Sequence, residues 1–212
     1  MATATETIRY PANIDIQGDL TVRGTIPTVP RSSIVQESIA PYLLPPQLWR
    51  VWDAFQTAIA TAGSDDLGVT AGAFATGCPY ITAGDNKALG ATTRRARIIF
   101  TLPPEYVAGE TVQLRAAAGM LTTVADTSCT VDFECYKLNR DTLKTGSDLV
   151  TTSATTMNSL TFGEKVFAVT ATSLSPGDIL DIRLSITCTD AATGTAVTPA
   201  LAAVEVQLDV KG

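Results

Sequence analysis

The run Cys129-Thr-Val-Asp-Phe-Glu-Cys-Tyr-Lys-Leu places Cys129, Val131, Phe133 and Cys135 on one side of an extended chain and Thr130, Asp132, Glu134 and Tyr136 on the other. A repeat of two marks a strand with one face in a core and one in water. The same pattern recurs from Asp66 onward in Leu67–Ala75, Arg95–Leu102, Thr111–Gly119, Asn158–Phe162 continued by Glu164–Ala171, Ile179–Cys188 and, more roughly, Ala200–Val210. Pro103-Pro104 and Leu174-Ser-Pro-Gly-Asp punctuate these runs with turn chemistry. A series of short strands with no helix between them predicts an all-β fold, an antiparallel sandwich. Connections long enough to cross between sheets make it jelly-roll-like.

Upstream the pattern is different, and the chain divides into an arm at 1–27, a Pro-rich linker with an amphipathic helix at 28–62, and the sandwich at 63–212. In the arm, Asn13–Pro27 alternates Ile14, Ile16, Leu20, Val22 and Ile26 against Asp15, Gln17, Asp19, Thr21, Arg23 and Thr25. A lone ribbon cannot bury its apolar face by itself, so this segment calls for a partner surface. The linker is broken by Pro27, Pro30, Pro41, Pro45 and Pro46, and such segments act as semi-rigid spacers. Pro46 to Thr61 predicts the one short helix: Pro suits a first turn, and Leu48, Val51, Trp52, Phe55 and Ile59 form an apolar stripe at helical spacing. Trp49, Trp52 and Phe55 therefore join the five arm residues as candidate contacts with other subunits or with a larger assembly.

The chain has 212 residues, 45% hydrophobic and 17% charged, with a formal charge of −6. That balance argues against nucleic-acid binding, which needs a basic stripe to displace counterions. Arg94, Arg95 and Arg97 are the one basic knot, expected to be a solvated strand end or a subunit salt bridge. The first ten residues lack the basic-then-apolar pattern of a signal peptide, and no apolar run has membrane-spanning length. A soluble chain folded in a cytosol is the expectation. Of Cys78, Cys129, Cys135 and Cys188, none forms a Cys-x-x-Cys pair. Cys129 and Cys135, on one strand, would lie roughly 20 Å apart at ~3.3 Å per residue, beyond disulfide reach. Free, mostly buried thiols are expected.

The sequence contains no histidine. That removes Ser-His-Asp and Cys-His nucleophiles and every His-ligated metal site. Asp132 and Glu134 share a strand face about 7 Å apart, within the glycosidase range, but the polar outer face of a sandwich strand produces the same pattern. Asp178 and Asp181 read as turn and strand-start residues bonding locally. A chain with no catalytic residues, no cofactor and no metal site is expected.

The run Gly18-Asp-Leu-Thr-Val-Arg-Gly-Thr resembles the G-x-L-x-V-x-G-x arms at the N-termini of tailed-bacteriophage fibre and decoration proteins. Phe100-Thr-Leu-Pro-Pro-Glu-Tyr-Val-Ala-Gly-Glu-Thr-Val and Leu174-Ser-Pro-Gly-Asp-Ile-Leu-Asp-Ile-Arg-Leu are similar to stretches of phage virion proteins with β-sandwich bodies. The resemblance implies a structural virion component, a homotrimeric capsid decoration or head protein. It would be assembled in the host cytoplasm and hold the major capsid protein or other virion proteins through its arm. A fibre or receptor-binding protein that recognises carbohydrate is the alternative.

Overall fold

A computed structural model of the chain describes residues 37–211, apart from 88, 123, 126, 140, 142, 192 and 193. The arm, with Ile14, Ile16, Leu20, Val22 and Ile26, lies outside the described residues. The strands within them are β1 (Glu37–Leu43), β2 (Arg50–Val51), β3 (Gly68–Thr70), β4 (Tyr80–Thr82), β5 (Gly90–Thr101), β6 (Val112–Met120), β7 (Thr127–Leu138), β8 (Lys144–Thr145), β9 (Thr155–Thr156), β10 (Gly163–Val169), β11 (Ile179–Asp190) and β12 (Pro199–Lys211).

They form two six-stranded antiparallel sheets packed as a sandwich. Sheet A runs β10-β6-β12-β4-β3, with β1 also paired to β12; sheet B runs β2-β5-β11-β7-β8, with β9 paired to β7. The chain changes sheet at each step from β5 through β6 to β7, and again from β10 through β11 to β12. This crossing pattern is the one expected of a jelly-roll-like sandwich.

Period-two patterning sets which side chains fill the space between the sheets. From sheet B come Val131, Phe133 and Cys135 of β7 and Leu180, Ile182, Leu184 and Ile186 of β11, all buried. Sheet A supplies Val112, Leu114, Ala116 and Ala118 of β6 and Val204, Val206 and Leu208 of β12. Phe133 and Phe167 meet edge to face across the core with centroids 5.0 Å apart. Each such large side chain contributes about 1.5–3 kcal/mol when fully buried. The loose alternation of β12 has a structural cause. Its register against β6 shifts between Leu201 and Ala203. This bulge leaves Ala203 exposed and turns Val204 inward.

The predicted helix at 46–61 is not formed. Pro46–Leu48 makes one 3-10 turn, and the chain then enters β2, which pairs with the edge of β5. Val51 N–H donates to Thr57 O at 2.9 Å and Ile59 N–H to Trp49 O at 3.2 Å, closing a hairpin-like loop. The helical stripe would have buried Leu48 and Phe55, yet these are exposed, while Trp49 and Ile59 fill the core. A free sheet edge together with a place for Trp49 outweighs local helix preference, a weak prior that tertiary context overrides. Residues 37–62, read as spacer and helix, thus contribute β1 to sheet A and β2 to sheet B.

Two further expectations are corrected. Cys129 is disulfide-bonded to Cys188, 59 residues away, because β7 and β11 bring them directly opposite each other. Spacing along one strand could not reveal a partner on its neighbour. Cys78 and Cys135 are the free thiols, exposed and buried respectively. Asn158–Phe162 is a loop rather than a strand: the Asn158 amide donates to Thr127 O at 2.9 Å, and Met120 N–H donates to Ser159 O at 2.8 Å.

Candidate functional site

The outer face of sheet B carries a dense set of charged and aromatic side chains. Cross-strand registers align Arg50, Arg97, Arg183 and Glu134 in one row across β2, β5, β11 and β7. The neighbouring row holds Arg95, Ser185 and Asp132. Like charges directly opposite one another on a sheet repel, so a row of three arginines needs a counter-charge. Asp181, on the outward side of β11, supplies it from beneath. Its Oδ1 accepts from Arg97 Nε at 3.0 Å, its Oδ2 accepts from Arg97 Nη2 at 2.5 Å and Arg183 Nε at 3.0 Å, and Arg183 Nη2 is ion-paired with Oδ2 at 2.9 Å. The carboxylate is fully buried. Burying a charge costs several kcal/mol unless it is paired and hydrogen-bonded; here both oxygens are occupied, and both guanidinium planes are fixed in return.

Aromatic rings flank these arginines. The Arg95 guanidinium lies 5.5 Å from the Trp52 ring centroid and that of Arg97 5.3 Å from Phe55. Lys144 and Arg183 lie 3.5 and 4.5 Å from the Tyr136 ring. Trp52 is held in place by its indole N–H, which donates to Asp65 Oδ2 at 3.1 Å. Between Trp52 and Glu134 opens a cleft of about 220 Å³, walled by Arg95, Arg97, Arg183 and Ser185. On the far side of Arg97 and Arg183 a second depression of about 380 Å³ is bounded by Leu138, Asp141, Leu143 and Lys144.

Glu134 sits 3.9 Å from Arg183 Nη1 and accepts from Tyr136 OH at 3.2 Å. Burial, and then the Glu134 charge, push the Tyr136 phenol above its ordinary value. Burial likewise raises the carboxyl of Asp132, helped by Glu134 and Asp148. Arg95 makes no ion pair among the described residues.

A second surface lies at the edge of sheet A. β1 pairs with β12 on one side only among the described strands. Its inner residues Ala40 and Tyr42 pack on the core, Tyr42 edge to face with Phe100 at 5.9 Å. Its outer residues Ile39 and Leu43 are 62% and 60% exposed.

The sequence-derived candidates therefore separate. Trp49 is fully buried, its indole N–H directed to Leu44 O at 3.4 Å, so it is a core residue and offers nothing to a partner. Trp52 lines the arginine cleft, and Phe55 lies against Arg97 beside it. Arg95 and Arg97 fall in the cleft, whereas Arg94 points inward and donates to Ala83 O. Sequence reading missed Asp181 as a buried anchor, along with Arg50 and Arg183. The available signal was the period-two spacing of Arg95-Ala-Arg97 and Asp181-Ile-Arg183, which puts both pairs on outward faces.

No known family model and no curated protein sequence matches the chain. Solved structures do show similarity. The CBM22-1 xylan-binding domain from Paenibacillus barcinonensis Xyn10C aligns at 13% identity over 82% of this chain and 97% of its own, with a TM-score of 0.41. The mannan-recognising carbohydrate-binding module TmCBM27 aligns at 13% identity over 80% and 98%, with a TM-score of 0.39. A family 16 carbohydrate-binding module gives 16% identity, 67% and 85% coverage and a TM-score of 0.37. A likeness this distant carries no argument about ligand or function. What the sandwich can do has to come from its own side chains.

Proposed function

We propose that this protein is a non-enzymatic bacteriophage virion structural protein, a homotrimeric decoration or head protein that holds the capsid surface through its N-terminal arm. The observation that carries this reading is the edge strand β1. It lies within the 28–62 segment that follows the arm and presents Ile39 and Leu43 on one exposed face. Fully burying such side chains is worth about 1.5–3 kcal/mol each relative to exposure, so roughly half of that is still available to a partner. The apolar ribbon of the arm makes the same demand. Pro41, between the two exposed residues, limits further strand addition, because proline cannot donate a ladder hydrogen bond. Side-chain packing between copies suits this edge better than an extended sheet.

Light scattering on the full chain tests the reading, with a trimer expected. Leu20→Asp with Val22→Asp, or Ile39→Asp with Leu43→Asp, should reduce it to monomers with an unchanged β-rich circular dichroism spectrum. A wild-type chain that is a monodisperse monomer overturns the assembly role. A trimer that both double variants leave intact removes the arm and β1 as its basis.

A further inference from the structure

The cleft on sheet B has a use that assembly through β1 and the arm does not absorb. Its guanidiniums outnumber their counter-charges. Asp181 is shared by Arg97 and Arg183, Glu134 stands at 3.9 Å from Arg183, and Arg95 has only the Trp52 ring among the described residues. A buried carboxylate that orients two forks without using their outward N–H groups builds a preorganised anion receptor. Among the described residues, no hydrogen bond engages Nη1 of Arg97 or of Arg183. Arginine forks match a carboxylate geometrically, two N–H groups to two oxygens.

We infer that this cleft binds a carboxylate-bearing sugar, one residue of an acidic oligosaccharide, with the acid group on Arg95 and Arg97 and the ring beside Trp52. The other lining groups narrow the choice to this class. Glu134 is an acceptor at the cleft wall; it repels a densely charged sulfate or phosphate polymer but takes hydrogen bonds from sugar hydroxyls. Ser185 adds a hydroxyl that can donate or accept. Trp52 provides an apolar flank for a ring, held in orientation by Asp65. A pocket of about 220 Å³ is below the usual range for drug-sized ligands, which suits a single ring group better than a folded peptide. The second depression, beyond Arg97 and Arg183, gives a neighbouring sugar somewhere to lie. This inference stands apart from the virion assignment and does not need it.

Titration calorimetry of the full chain against oligogalacturonate tests it, with a neutral galacto-oligosaccharide and an oligoglutamate peptide of matched length as comparisons. Saturable binding of oligogalacturonate is expected, weakening with added salt and at least tenfold weaker in Arg95→Gln and in Trp52→Ala. Both variants lie at the surface, and thermal melts confirm that they remain folded. The neutral sugar should bind at least tenfold more weakly than the acidic one. Failure to bind oligogalacturonate, equal affinity for the neutral sugar, or tighter binding of oligoglutamate would each overturn the inference. So would an unchanged affinity in folded Arg95→Gln.

Discussion

The outer faces of the two sheets are built on the same alternation and solve their electrostatics in opposite ways. On sheet A, Arg115 of β6 lies between Glu164 of β10 and Glu205 of β12, so one guanidinium meets two carboxylates. Those groups are between about a quarter and half exposed, and water does most of the screening. On sheet B, among the described residues, Arg97 and Arg183 share the fully buried Asp181, Arg183 also lies 3.9 Å from Glu134, and Arg95 makes no ion pair although Asp132 lies in its row. A closed, solvated pairing is an ordinary surface. An open one, anchored on a buried carboxylate, is rigid and has unmet demand. The position of one Asp therefore separates a face that only needs to be wet from a face that can recognise something.

The largest expected effect is on the covalent tie within sheet B. Closing a loop with a 59-residue separation stabilises by roughly 4 kcal/mol in the chain-entropy treatment. Cys129→Ala with Cys188→Ala should lower the unfolding free energy by about that amount in urea melts. Sheet A has no comparable tie among the described residues. The same bond can be counted chemically. Cys135 is pushed up to about 12 by burial, helped by Asp148 and Asp181, so at pH 8 a thiol reagent should modify Cys78 alone in the native protein. Two thiols should react after unfolding and four after reduction.

Next comes the anchor. Asp181→Ala removes the shared counter-charge of Arg97 and Arg183, which are themselves 26% and 33% exposed, and losing hydrogen bonds to a charged group costs about 1.5–3 kcal/mol. In a domain of this size that is a fall in melting temperature of about 3–12 °C, at roughly 2–4 °C per kcal/mol, measurable by scanning calorimetry. A change under one degree would mean that the two faces are held alike.

A smaller, pH-dependent effect is expected at Asp132. Its folded-state pKa is raised, chiefly by burial, so folding binds its proton more tightly. Both states are protonated below the ordinary carboxylate value, and the destabilisation develops as pH rises from there through the raised value. Asp132→Asn should accordingly be more stable than wild type at pH 7, with the advantage disappearing in acid. Urea melts across that range read the sign directly.

The smallest effect belongs to sheet A. Glu164 is 49% exposed, and exposed pairs are worth about 0–1 kcal/mol; Glu164→Gln should shift the urea midpoint barely at all. A large loss there would break the contrast with Asp181.

Much of the sandwich was legible along the chain. β7 and β11 each state their inner face by strict alternation, because a side-chain repeat of two is a property of the backbone itself. The segment at 46–61 was not legible for the same kind of reason. Leu48, Val51, Trp52, Phe55 and Ile59 fit a helical stripe, and nothing local reveals that β5 has an edge waiting for β2. The cleft was half legible. Arg95 and Arg97 were visible as a basic knot and Trp52 and Phe55 as members of an expected helical stripe, but their meeting depends on how the loop after β2 folds back over β5.

By itself, then, the sequence determined the fold class and which face of β6, β7 and β11 is buried. It also determined, through the absence of histidine, which chemistries this chain cannot perform with its own side chains. Only the tertiary structure decided that Cys129 finds Cys188, that Trp49 is core while Trp52 is rim, and that Asp181 is an anchor rather than a turn residue. The physical reason is range. Alternation and turn chemistry act between residues a few positions apart, whereas a disulfide, a buried counter-charge and a cleft are made by strands far apart in sequence whose neighbours are chosen when the sheets assemble.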